Sequence, residues 1–108
     1  MAATLSPDFE TRLSAWLAGA QAKIDTHYRV DYPTLIGPTL SIERGARYIR
    51  VVSAGGSQRS VFAFIDTTNG DVLKPASWKA PAAHARGNIF DASGGLERVG
   101  PYGPAYLR

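Results

Sequence analysis

The hydrophobic period of this chain changes once, and that change limits the possible folds more than any other feature. Phe9, Leu13, Trp16, Leu17, Ala20 and Ile24 recur at steps of three and four, the spacing of one helical face. Beyond a Pro- and Gly-containing connection from Tyr32 to Pro38 the period becomes two, the spacing of a half-buried strand. Ser6-Pro7-Asp8 predicts the helix start. Ser6 caps free N–H groups, Pro7 fits the first turn, and Asp8 and Glu10 complement the dipole. The helix is expected to run to about Tyr28 and to stop before Asp31-Tyr32-Pro33. Gly19 weakens it slightly but permits close packing.

Four strands are expected after the connection. Thr39 to Arg44 places Leu40 and Ile42 on one face, and Gly45-Ala46 turns the chain. Arg47 to Ser53 then points Ile49 and Val51 inward and Tyr48 and Arg50 outward. Ala54-Gly55-Gly56-Ser57 reads as a turn. Gln58 to Asp66 is apolar on both faces, so it belongs in the middle of the sheet. Thr67-Thr68-Asn69-Gly70 marks a hairpin, because Asn-Gly tolerates positive φ, and leads into a short strand, Asp71 to Lys74, which Pro75 ends. Strands at hairpin spacing form a meander, and an amphipathic helix must bury its stripe on one face of it. The expected architecture is therefore α+β. An N-terminal amphipathic helix (1–30) packs on a four-stranded antiparallel meander (39–75), and an irregular C-terminal segment (76–108) follows within one domain, 1–108. A single helical turn is expected over Pro81 to Arg86. The ending from Gly100 to Arg108 is too rich in Gly and Pro for regular structure. Its Tyr102, Tyr106 and Leu107 suggest a strap across the domain or onto a second subunit, and so a homo-oligomer.

The 108 residues carry a net charge of +3, unevenly placed. Residues 1–73 hold seven Lys/Arg and seven Asp/Glu, whereas residues 74–108 hold five and two. Positive charge concentrated in one part points to an anionic partner. No carboxylate lies between Asp71 and Asp91, and that span contains Lys74, Ser77, Trp78, Lys79, His84, Arg86 and Asn88. Cations and neutral donors beside an aromatic face suit a ligand with a phosphate and a base. Tyr48 and Arg50, on one strand face by alternation, form a second basic and aromatic group that can join the first across the sheet. The ordinary reading of Ser77 to Phe90 is a rigid loop packing Trp78 and Phe90 into the core.

This pattern suits binding better than catalysis. The two histidines, His27 and His84, are 57 positions apart. No nucleophile elbow, phosphate loop or metal-ligand spacing accompanies them, so no catalytic residue, metal or cofactor is assigned. His27 is expected to be structural, near the helix end. The absence of cysteine excludes disulfides and thiolate chemistry and suits a reducing compartment. No apolar stretch is long enough to span a membrane, and the first ten residues do not have the pattern of a signal peptide.

The second half of the chain resembles a family of small, uncharacterised tailed-phage proteins. The resemblance rests on Ser60-Val61-Phe62-Ala63-Phe64-Ile65-Asp66, Asn69-Gly70-Asp71-Val72-Leu73-Lys74, Ala76-Ser77-Trp78-Lys79-Ala80-Pro81-Ala82, His84-Ala85-Arg86-Gly87-Asn88-Ile89-Phe90 and the ending Gly100 to Arg108. Ala83 departs from the lysine expected there and removes one cation. The resemblance implies a phage source and the cytoplasm of an infected bacterial host, and it implies no activity. The functional expectation is a non-catalytic protein that binds a phosphate-containing nucleotide and sequesters a nucleotide signal of host immunity. Two further readings of the same residues stay open: a single-stranded nucleic-acid binder and a protein–protein inhibitor of a host enzyme.

Overall fold

A computed structural model of the protein describes residues 7–104. Helix α1 (Pro7–Asp31) is followed by four strands, β1 (Thr39–Arg44), β2 (Tyr48–Gly55), β3 (Gln58–Asp66) and β4 (Val72–Leu73). They form one antiparallel sheet in the order β1-β2-β3-β4. Two short strands, β5 (Val99–Gly100) and β6 (Gly103–Pro104), pair with each other. The expected α+β architecture is the observed one. The Ser6 cap and the last four residues, with Tyr106 and Leu107, lie outside the described residues.

The helical stripe is buried as its spacing requires. Phe9, Leu13, Trp16, Ala20 and Ile24 pack with Leu40, Ile49, Val51, Ala63, Ile65 and Val72 from the sheet. Trp16 is fully buried, lies edge-on to Phe62, and donates its indole N–H to Gly95 O at 3.1 Å. Gly95 has a φ of +83°, and a Cβ there would lie 3.0 Å from both Trp16 and Val72. Glycine is thus required for the chain to cross the helix at this point. Gly19 does allow a close approach, since a Cβ on it would collide with Leu96. The helix continues three residues past Tyr28. Tyr32 N–H still bonds to Tyr28 O, and Asp31 pairs with His27 one turn earlier. Pro33 then disfavours helical backbone at Tyr32 and ends the run.

The two sheet faces differ. Register places Arg50 opposite Phe64 and Phe64 opposite Leu73, on the side away from α1. A bulge between Val51 and Val52 leaves Phe62 without a partner on β2, so Phe62 and Ala63 both enter the core. Val52, Phe64 and Leu73 are nonetheless buried, because the segment after β4 folds back over this outer face. The helical turn expected over Pro81 to Arg86 is not formed. Pro81 instead bridges Pro75, and Ala82 N–H bonds to Lys74 O. The hairpin at Asn69-Gly70 exists, but only Gly70 has positive φ. Asp66 N–H bonds to Asp71 O, which closes the expected loop Thr67-Thr68-Asn69-Gly70. The tail is also more regular than its composition suggests, since β5 and β6 form a small hairpin. Lys23 Nζ anchors this region to α1 by donating to Leu96 O and Val99 O, both at 2.8 Å. Tyr102 sits at the hairpin tip and is 72% exposed.

Asp91 organises the loop that carries Gly95. Its Oδ1 accepts from Ser93 N, Ser93 Oγ and Gly95 N, and its Oδ2 accepts from Asn88 N. These bonds, that from Gly95 first, hold its carboxyl below the ordinary value. The carboxylate therefore stabilises the fold above the unfolded-state value of ~3.9, and that contribution disappears as pH falls through the lower folded value. Asp91→Ala should lower stability by about 1–2 kcal/mol near neutral pH, comparable to loss of a cap. Thermal unfolding of the two proteins should converge as the pH drops below the carboxyl range. A constant difference throughout the acid limb would contradict this role.

Candidate functional site

The sheet's outer face brings together groups that are far apart in sequence. Trp78 is carried over this face on the hairpin-like segment closed by Pro75 and Pro81. Arg50 Nε donates to Trp78 O at 2.9 Å, and the Arg50 guanidinium lies 5.0 Å from the indole centroid. Arg59, from β3, lies 5.4 Å from the same ring. Glu43 on β1 holds both arginines, with Oε1 on Arg50 at 2.8 Å and Oε2 on Arg59 at 3.0 Å. Arg50 first and Arg59 second keep the Glu43 carboxyl below its ordinary range. Trp78 remains 39% exposed. An aromatic plane is thus fixed by two cations while part of it faces solvent.

Beside this plane a cleft of about 390 Å³ is lined by Arg44, Arg47, Tyr48, Arg50, Phe64 and Lys79, among others. Tyr48 packs edge-on to Phe64, and Arg47 lies over the Tyr48 ring at 5.1 Å. Arg44 is paired with Glu10 of α1, while Arg47 reaches Asp66 only at 3.6 Å and is largely exposed. Lys79 forms no ion pair among the described residues. Five cations meet three carboxylates here, so the face keeps a positive excess. The expected joining of Tyr48 and Arg50 with the loop group does occur, and it occurs through Trp78 and Lys79.

The other loop residues are turned to different tasks. Arg86 is buried, and its guanidinium donates to Ala83 O at 2.7 Å and His84 O at 2.6 Å. It shapes the backbone where His84 adopts a φ of +71°. Asn88 donates to Asn69 O and Asp71 Oδ1 and accepts from Phe90 N, tying the loop to the β3–β4 turn. Lys74 Nζ donates to Pro104 O at 3.1 Å and holds the tail hairpin. Ser77 Oγ accepts from Lys79 N in a local turn. His84 is exposed on the same irregular segment. Partners of this kind depend on which carbonyls and N–H groups the fold leaves open, which spacing does not reveal.

A second constellation was not anticipated. His27 Nδ1 lies 2.8 Å from Asp31 Oδ2, and Nε2 lies 2.9 Å from the Tyr102 hydroxyl. With Nδ1–H directed at Asp31, a neutral imidazole presents Nε2 as acceptor to the phenol. Tyr28, Tyr32 and Tyr102 surround the His27 ring at 5.3–5.7 Å. Partial desolvation, followed by the neighbouring Tyr32, pushes the Tyr102 phenol above its ordinary value. The i, i+4 spacing of His27 and Asp31 was a readable signal, but Tyr102 is 75 residues away. Among the described residues, no three His, Asp or Glu side chains gather as a metal set, and no helix is long and apolar enough to cross a membrane.

No curated protein and no solved structure matches the chain. A family model does match, described as a family of unknown function (DUF7717), and it spans residues 8–101. That span takes in α1 from Asp8 onward, the whole four-stranded sheet, Trp78 and its two arginines. The chain therefore belongs to the family of unknown function DUF7717.

Proposed function

We propose that the protein binds single-stranded nucleic acid across the outer face of its sheet without transforming it. The observation that carries this reading is the partly exposed Trp78 plane beside Arg50 and Arg59, continuous with an open, cation-lined cleft. Bases stack on exposed aromatic rings while cations follow the phosphates, and an open face admits a chain running past it. The acidic partners of Arg44, Arg50 and Arg59 moderate the field, which suits modest affinity and easy release. A second reading rests on the cleft itself. At about 390 Å³ it lies within the range of small-ligand pockets, and a mononucleotide fits the same chemistry, with its base by Tyr48 and its phosphate by Lys79 and Arg47. This second reading would make the protein a sponge for a nucleotide signal. The resemblance to tailed-phage proteins supports placing either activity in the cytoplasm of an infected bacterium, against host defence. The protein–protein inhibitor reading draws on the aromatic tail.

Tryptophan fluorescence offers a direct test, because Trp16 is fully buried and Trp78 is not. Titration with a short single-stranded DNA should quench the Trp78 component. Affinity should fall with salt at a log–log slope of about −2, corresponding to roughly three cations engaged. Quenching by a mononucleotide with a shallower salt dependence would favour the second reading. No response to either ligand at low salt would exclude both.

A further inference from the structure

Glu43 stands where the outer face offers its two best-placed guanidinium groups to an anion. It lies directly opposite Arg50 on the neighbouring strand, so the two side chains share that face. Its Oε1 is 2.8 Å from Arg50 Nη1, and its Oε2 is 3.0 Å from Arg59 Nη2. One carboxylate thus bridges two guanidinium groups. A phosphate can take the same place, because two of its oxygens meet the same donors. Among the described residues that line the cleft beside Trp78, Glu43 is the one with a carboxylate, in the company of Arg44, Arg47, Arg50 and Lys79. The arginines have other supports. Arg50 Nε donates to Trp78 O at 2.9 Å, and the two guanidinium groups lie 5.0 and 5.4 Å from the centroid of the Trp78 ring. Glu43 therefore occupies donors that it is not needed to aim.

We infer that Glu43 is the affinity-setting residue of this face: it fills the anion site between Arg50 and Arg59 in the free protein and yields it to a phosphate of the bound strand. The inference rests on the nucleic-acid reading above. Arg50 and Arg59 hold the Glu43 carboxyl below its ordinary range, so the bridge is charged near neutral pH. Its members nonetheless reach water, with 42% of the Glu43 side chain and 54% of the Arg59 side chain exposed. Ion pairs so exposed are weakly held, and an incoming phosphate exchanges with the carboxylate at little cost. The carboxylate stays on the same face after the exchange. Two arginines and one carboxylate therefore act on the strand as a single net cation. Such a site favours a ligand with several phosphates in a row. A strand that continues to Arg47 and Lys79 gains from those cations as well, whereas a lone phosphate has only the exchange at Glu43.

Salt titrations of the full chain with labelled single-stranded DNA, read by fluorescence anisotropy, test this inference. Glu43→Gln keeps the size of the side chain and removes its charge. Its log–log salt slope should be steeper than that of the wild type by about 0.7, the effect of one more net cation. With the two lines converging near ~1 M salt, where the counterion effect vanishes, affinity at ~50 mM should rise roughly 5- to 10-fold. Its melting temperature should move little, because the ion pair is exposed. Glu97→Gln makes the same change of net charge at an exposed residue that does not line the cleft, and it should leave the slope as it is. The inference is overturned if the wild type binds and Glu43→Gln binds equally or more weakly, since Glu43 would then serve only to hold the arginines. The nucleic-acid reading survives that result. The inference is overturned equally if Glu97→Gln tightens binding as much as Glu43→Gln, since net charge alone would then account for the gain. Binding by neither the wild type nor Glu43→Gln removes the nucleic-acid reading and this inference with it.

Discussion

Trp16→Ala should lower the unfolding free energy by about 3–5 kcal/mol, the cost of removing a large aromatic side chain from a close-packed interior. Against a typical domain stability of ~5–15 kcal/mol, this is a large fraction. Trp16 is fully buried, touches Phe62 from β3, and bonds Gly95 O. It therefore joins the helix, the sheet and the loop that follows them. Its loss opens a cavity and also strands a buried carbonyl. Trp16→Phe separates the two effects, since it refills most of the volume and leaves Gly95 O unpaired, at an expected cost of ~1–3 kcal/mol. Urea denaturation of the three proteins measures both. A loss below ~1 kcal/mol for Trp16→Ala would show that the loop does not depend on the helix in this way.

Trp78→Ala should act on binding and scarcely on folding. Base–aromatic stacking contributes ~1–3 kcal/mol per base, so affinity for single-stranded DNA should fall about 5- to 150-fold. Arg50 and Arg59 stay anchored to Glu43 when the ring is removed, so the cationic face survives and the melting temperature should move little. Lys79→Ala provides the complementary measurement. It removes one phosphate contact without a stacking surface, so it should reduce the salt slope by about 0.7. Fluorescence anisotropy with labelled DNA reads both variants. Binding by Trp78→Ala equal to that of the wild type would remove the outer face from consideration as the site.

Periodicity was enough to read the inner face. Leu40, Ile49 and Val51 lie inward, and Phe9, Leu13, Trp16, Ala20 and Ile24 meet them, because a two-residue repeat and a 3.6-residue repeat each assign a side to every side chain. The bounds of β1 and β3 were legible for the same reason, and Pro75 and Pro33 closed their elements by removing a donor or restricting the preceding residue.

From Lys74 onward no repeat assigns sides, and the basic loop divided in a way that composition could not indicate. Arg86 and Asn88 share their charge and polarity with good ligand-binding residues. The chain reversal around Ala83, His84 and Asn69 nevertheless leaves backbone groups that need partners, and these two side chains supply them. Trp78 has the composition of a core residue. The sheet behind it is already packed by Val52, Phe64 and Leu73, so the ring lies over the outer surface against Arg50 and Arg59. Local spacing determines which face of an element is apolar, because that depends only on backbone geometry repeated along the chain. Which polar side chain stays available to a ligand is decided by the hydrogen-bonding groups that distant segments bring near it, and only the tertiary structure contains them.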